Sequence, residues 1–260
     1  MHTKEEKLQE FGRLLDVLDC LRAECPWDRE QTFDSLRPLT VEETFELADA
    51  VFSKDMLLIK KELGDVLLHI LFYSKIGDEN GEFDIFDVCK ALTDKLIYRH
   101  PHVFGKVDAT TAETVSQNWE KLKLKEKDGN RSVLAGVPHT LPALIKAYRI
   151  QDKARSAGFD WEQPEQVWDK VNEEMNELQA EIAANDADKT EAEFGDLLFS
   201  VINAARLHGV NPENALERTN RKFIKRFNFL EANTLAKGID LKKMTLAQMD
   251  EIWEKAKNID

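Results

Sequence analysis

Cysteine is scarce: Cys20, Cys25 and Cys89 are odd in number and have no C-x-x-C spacing, so a reduced, cytoplasmic protein is expected. No apolar run approaches the roughly 18 residues of a membrane span. The opening "MHTKEEKLQEFGRLLDVLDCL" is charged and amphipathic, without the apolar stretch of a signal peptide. Alternating Val/Ile/Thr-rich stretches are few, which argues against sheets. Positive charge is in deficit, 36 Lys and Arg against 49 Asp and Glu, for a net charge of −13. Phosphates would be repelled from most of such a surface, so extended nucleic-acid binding is not expected. A nucleotide ligand stays open, because a bound metal can invert the local charge. There is no G-x-x-x-x-G-K-[ST] loop and no G-x-G-x-x-G after a strand. No Ser or Cys is marked as a nucleophile. No His follows a Glu at three residues, which argues against a Glu-x-x-His di-iron bundle. "RHPHVFG" at 99–105 holds two His without a nearby Cys, and Pro101 interrupts any helix; packing or capping is the expected role.

What is present is acid, placed by pattern. "KVNEEMNELQAEIAANDADKTEAEFGDLLFS" at 170–200 carries Glu173, Glu174 and Glu177 in one helical run, with Glu193 and Asp196 in the next, around Gly195. Like charges at helical spacing repel by about 0.2–0.5 kcal/mol per pair. The pattern nevertheless recurs. Glu42, Glu43 and Glu46 match Glu173, Glu174 and Glu177, while Glu62 and Asp65 match Glu193 and Asp196, with Gly64 where Gly195 stands. "CPWD" at 25–28 precedes the first copy and "FDWE" at 159–162 the second; "NWEKLK" at 118–123 echoes "IWEKAK" at 252–257. A duplication accounts for all of this. The breakers Gly129, Gly136, Pro138 and Pro142 place a linker at 129–140, between an N-terminal domain at 1–128 and a C-terminal domain at 141–260.

Each half reads as several helices, so the fold class is all-α, with tandem helical bundles. Trp168, Val171, Met175, Leu178 and Ile182 step as one apolar helix face, and Phe194, Leu197, Leu198, Val201, Ile202 and Ala205 form another. Asn211-Pro212 starts a third helix, with Phe223, Phe227 and Leu230 on its apolar side. These stripes need partners, and a homodimer can complete a bundle that one short half cannot build.

Positions three apart differ by about 60° around a helix. Glu174 and Glu177 therefore share a side, as do Glu193 and Asp196, and antiparallel packing brings the four together. A divalent cation resolves the repulsion; Mg²⁺, or Mn²⁺ in its place, suits such hard oxygen ligands. Gly195 costs roughly 1 kcal/mol relative to Ala, which suggests close approach by a neighbouring helix or ligand. "RTNRKFIKRF" at 218–227 carries five basic side chains and no acid. Lys222 and Arg226 point together there and can hold phosphate oxygens. Lys189, four residues before Glu193, can reach the same cleft, and Trp253 can stack on a nucleobase.

E-E-x-x-E followed by E-x-x-D on adjacent helices resembles the signature of all-α nucleoside triphosphate pyrophosphohydrolases. Together with "CPWDREQT", "RHPHVFG" and the duplication, it makes nearly the whole chain similar to two-domain MazG proteins. The resemblance implies a homodimeric helical bundle and Mg²⁺-dependent hydrolysis of nucleoside triphosphates to monophosphate and pyrophosphate. It implies metal ligation by Glu174, Glu177, Glu193 and Asp196, with a possible second site at Glu43, Glu46, Glu62 and Asp65. Nucleotide contacts fall on Lys170, Lys189, Lys222, Arg226 and Trp253. Glu173 is the surplus acid, with a general-base role and a structural one both open. Asp94, Lys95 and Arg99 fall where Asn220, Lys222 and Arg226 stand, and Leu58 replaces Lys189, so the second copy is expected to do most of the catalysis. The alternatives are a base-selective dUTPase-like enzyme and a non-catalytic helical module that binds nucleotide or protein.

Overall fold

The computed structural model describes residues 1–105, 111, 114, 115, 122, 132–236 and 238–257. Among these there is no strand. The chain divides into two compact units, Met1–Val115 and Ser116–Asp260. Of the expected linker, residues 132–140 form turns and bends, while 129–131 lie outside the described residues. So does most of the 118–123 stretch that echoes 252–257.

The first unit holds α1 (Lys4–Glu24), α2 (Pro26–Glu30), α3 (Phe33–Ser53), α4 (Met56–Glu79), α5 (Ile85–Arg99) and α6 (Pro101–Phe104). Thr3 and Thr32 begin α1 and α3 with capping boxes, each hydroxyl accepting from a backbone N–H three residues on. The core is Leu18, Leu36, Leu71, Phe72 and Ile76, where α1, α3 and α4 meet. Burying each such side chain contributes about 1.5–3 kcal/mol. Gly77 is required there: a Cβ would sit 2.7 Å from the Phe83 carbonyl oxygen of the chain that turns toward α5.

The second unit holds α7 (Ala143–Ser156), α8 (Gln166–Ala184), α9 (Ala187–Leu207), α10 (Pro212–Leu235), a 3-10 turn at Leu241–Lys243 and α11 (Leu246–Ala256). Asn211 caps α10 by accepting from the Asn214 N–H at 3.0 Å, with Pro212 at the first helical position. Lys153 Nζ donates to the Val133 carbonyl at 3.1 Å, which ties the preceding turn segment to α7.

The apolar stripes differ from expectation. On α8 the buried line is Val167, Glu174 and Leu178, and Trp168, Met175 and Ile182 lie exposed. On α9 the buried residues are Ser200, Ile202 and Ala204, with Phe194, Leu198 and Val201 exposed. On α10 only Leu230 of the expected three is buried. The acidic faces of α8 and α9 turn toward each other, and much of their apolar surface is left exposed among the described residues. Gly195 and Gly64 also differ: a Cβ at either would meet nothing within 4 Å, so no element of the described chain makes the expected close approach.

Candidate active site

α8 and α9 are joined by two residues. Asn185, at φ 55°, takes the left-handed conformation that Asn tolerates better than most residues. Asp186 then caps α9, its carboxylate accepting from the Lys189 N–H at 3.1 Å. The first unit repeats the device between α3 and α4. There Lys54 sits at φ 57°, and Asp55 accepts from the N–H groups of Leu57 and Leu58 at 3.0 and 3.1 Å. Such short connections fold one helix back along the other and fix which residues face.

The residues brought together are the acids. Glu174, Glu177 and Glu193 each offer an oxygen, and these oxygens lie within 4.8 Å of one another. Glu43, Glu62 and Asp65 do the same in the first unit. Glu193 Oε2 and its counterpart Glu62 Oε2 are buried with no hydrogen-bond partner among the described residues. Burial, and then the charges of Glu177, Asp196, Glu174 and Glu181, raise the Glu193 carboxyl above its ordinary range. Glu46 is raised by burial and then by Glu62 and Glu43, with Lys61 opposing. Asp196 and Glu46, the fourth acids of the two sets, thus lie close enough to act on their clusters. A buried carboxylate oxygen without a donor, beside two further carboxylates and repeated in both units, fits a hard divalent cation.

The cations are distributed less simply. Lys170 Nζ pairs with Glu174 at 2.7 Å and with Glu173 at 3.0 Å. The hydrogen bonds that this ammonium donates, first to Glu174 and then to Glu173, raise its pKa. Lys61, which sequence reasoning passed over, pairs with Glu62 at 2.9 Å and Asp65 at 3.4 Å. Lys189 is not at the cluster; it is held at the hairpin turn by Asp186 at 3.5 Å and Glu181 at 3.7 Å. Lys222 is exposed on α10. The Arg226 guanidinium lies 6.0 Å from the Trp253 ring centroid, and Phe223 packs on the same indole at 5.1 Å. Counted from the N-caps Asp84 and Asn211, Lys95 and Arg99 match Lys222 and Arg226, whereas Asp94 matches Arg221 rather than Asn220. Asp94 is itself paired with Lys90 at 2.6 Å. The histidines of "RHPHVFG" pack together, with ring centroids 5.6 Å apart, and Pro101 opens α6.

Beside the second cluster lies a cavity of about 640 Å³ whose walls include Lys170, Glu174 and Asp196. Phe159, Trp161 and Phe199 supply aromatic surface; Gln151, Ser200 and Asn203 supply polar groups. Arg206, also on the wall, is ion-paired with Asp160, and its side chain is only 6% exposed. Burial pushes the Asp160 carboxyl up, but the hydrogen bonds from Arg206 and the Trp161 N–H prevail and hold it below its ordinary value. These residues escaped sequence reasoning because they come from separate segments. One signal was available: Asn203 follows Asp196 by seven residues, two turns along the same helix face.

The first unit fills the matching space. Counted from the hairpin turns, Leu36, Leu39, His69 and Phe72 stand where Val167, Lys170, Ser200 and Asn203 line the cavity. Leu36 and Phe72 are core residues, 1% and 2% exposed. His69 bonds through Nδ1 to Thr40 Oγ1 at 2.8 Å, and Thr40 Oγ1 to the Tyr73 hydroxyl at 2.6 Å.

Fold and site together define a class, the tandem all-α protein with a carboxylate cluster on each helical hairpin. The MazG nucleotide pyrophosphohydrolase domain matches the chain twice, over residues 31–104 and 162–229. A nucleoside triphosphate pyrophosphohydrolase/pyrophosphatase MazG of Thermotoga maritima is 43% identical over 96% of this chain and 96% of its own length. A nucleoside triphosphate pyrophosphohydrolase of Escherichia coli K12 is 40% identical over 96% of this chain and 98% of its own. The chain belongs to the MazG nucleotide pyrophosphohydrolase family.

Proposed function

We propose that the second unit hydrolyses nucleoside triphosphates to nucleoside monophosphate and pyrophosphate, with Mg²⁺ (or Mn²⁺) as cofactor and a broad range of bases. The observation that carries this reading is the unpartnered buried oxygen of Glu193, grouped with Glu174 and Glu177 beside a cavity of about 640 Å³. Glu174, Glu177, Glu193 and Asp196 would hold the cation; bound there, it supplies a nucleophilic hydroxide at neutral pH and charge stabilisation for phosphate oxygens.

The chain's own groups do the rest. Lys170 carries positive charge to the cavity wall and offsets phosphate charge. Glu173 shares that ammonium with Glu174, which favours a role in positioning Lys170 over one as general base. Lys222 and Arg226 offer further phosphate contacts, and Trp253 a stacking face. Lys189 reaches a phosphate only by leaving Glu181 and Asp186. The first unit keeps its carboxylates as a possible second metal site, but the side chains that fill its cavity leave no equivalent place for a nucleoside. The exposed apolar residues of α8 and α9 recur at matching positions in the first unit, as Val51, Leu63 and Ile70 for Ile182, Phe194 and Val201. Repeated open faces favour a homodimer that closes both bundles. No described helix is long and apolar enough to cross a membrane, in keeping with a cytoplasmic nucleotide-pool enzyme.

Product analysis across ATP, GTP, CTP, UTP and dUTP, with Mg²⁺ and with chelator, tests the reading. Monophosphate and pyrophosphate should form from several bases and only with the metal. Diphosphate and orthophosphate as first products would reject the chemistry. A preference for dUTP above about a hundredfold, roughly 2.7 kcal/mol, would favour the dUTPase alternative. No turnover at all would favour a binding module.

A further inference from the structure

We infer that Asn203 is a specificity-determining residue of this cavity, presenting a fixed hydrogen-bond donor to a carbonyl oxygen of the nucleobase; the inference rests on the pyrophosphohydrolase reading above. Asn203 lines the cavity with Glu174 and Asp196. Its Oδ1 accepts from Arg206 twice, from Nε at 3.0 Å and from the terminal NH2 nitrogen at 2.8 Å. A guanidinium has donors only, so the amide must turn its oxygen to Arg206. Arg206 is fixed in turn by Asp160, which accepts from the other terminal nitrogen at 3.0 Å and makes a second, shorter contact. The ion pair thereby sets the amide's orientation. Nδ2 is left over, and it donates to no acceptor among the described residues. A locked donor without an acceptor, on the wall of a cavity, matches an oxygen on whatever fills that cavity.

The neighbours narrow the occupant. With the carboxylates taking the phosphate end, the rest of the cavity receives the nucleoside. Phe159 and Trp161 line the same cavity, 84% and 39% exposed, and offer faces on which a flat ring stacks. A donor reads an acceptor edge, which is the C6 carbonyl of guanine or hypoxanthine, or the C4 carbonyl of uracil or thymine. One neutral hydrogen bond shifts turnover by about threefold to tenfold, well inside a broad substrate range. The first unit provides an internal contrast. Phe72 takes the place of Asn203, and Lys75, at the place of Arg206, pairs with Asp19 at 2.8 Å and Asp78 at 3.5 Å.

The test uses the full chain with Mg²⁺ and substrate pairs that differ in one atom, GTP with 6-thio-GTP and UTP with 4-thio-UTP, since sulfur is a weak acceptor. In the natural protein the oxo compound should lead by about threefold to tenfold in kcat/KM. In Asn203→Leu the ratio should fall to about one. Asn203→Asp removes the donor while keeping an acceptor for Arg206, so it guards against a folding defect in the first variant, and its ratio should be one or below. Equal turnover of oxo and thio compounds by the natural protein, or a ratio kept in both variants while pyrophosphate is still released, would overturn the assignment of Asn203. No pyrophosphate from any of the four would overturn the catalytic reading itself, and this inference with it.

Discussion

At the scale of the residue, the decisive feature is a buried carboxylate oxygen that accepts from no donor among the described residues. Glu193 and Glu46 are both raised above the ordinary carboxylate range by burial and like charge. The folded, metal-free protein therefore keeps protons that the unfolded chain, with a Glu value of about 4.3, has released. Folding takes up protons in the window between that value and the raised ones, and stability falls as pH rises through it. Metal-free protein should melt higher near pH 5 than at pH 7.5. Saturating Mg²⁺ should raise the pH 7.5 melting temperature and flatten the dependence; at a hundredfold over Kd it adds about 2.7 kcal/mol. Thermal melts with chelator and with Mg²⁺ check this, and a chelated protein that gains stability from pH 5 to 7.5 would count against it. The acids themselves were legible in the sequence, because spacing of three along a helix is enough to put two side chains together. The cavity was not: its wall is drawn from α7, the stretch before α8, and α8 and α9 themselves, and the orientation of Gln151 and Asp160 depends on tertiary partners.

At the scale of the element, the hairpin turn sets the register of each cluster. Asp186 and Asp55 each close a helix N-terminus immediately after a left-handed residue. Asp186→Ala should lower the stability of the second unit by about 1 kcal/mol and, because Lys189 loses both the capped N–H and an ion-pair partner, loosen the start of α9. Denaturant titration of the full chain, followed by Trp fluorescence, would read the loss; an unchanged midpoint would show that the cap is redundant. Helix existence was legible from 3.6-residue periodicity, and the start at Asn211-Pro212 from cap chemistry. Which face turns inward was not. Trp168, Met175 and Ile182 read as a core stripe, yet Glu174 lies inside and they do not, because periodicity counts apolar side chains and cannot register acids that a shared cation would hold.

At the scale of the whole molecule, two copies of one pattern differ in what surrounds it. The second opens onto a cavity; the first closes over Leu36 and Phe72. Glu177→Gln should therefore remove most pyrophosphate release from the full chain, while Glu46→Gln should remove little. Steady-state rates of the two variants side by side give the answer, and the reverse ranking would move the active copy to the first unit. The duplication and the identity of its acids were plain in the sequence. The different surroundings of the two copies turn on substitutions such as Asn203 for Phe72, which carry no motif. The tightness of the hairpin has a further consequence. All four acids of a cluster lie within one helix pair closed by a two-residue link, and closing so short a segment of chain costs little entropy. The proposed metal site is thus a low-contact-order object that can assemble early in folding, ahead of the long-range core. A single stretch of coding sequence also carries all four acids of the proposed ligand set. Copying that stretch duplicates a finished site in one event, and later substitutions on its walls can give the two copies different work.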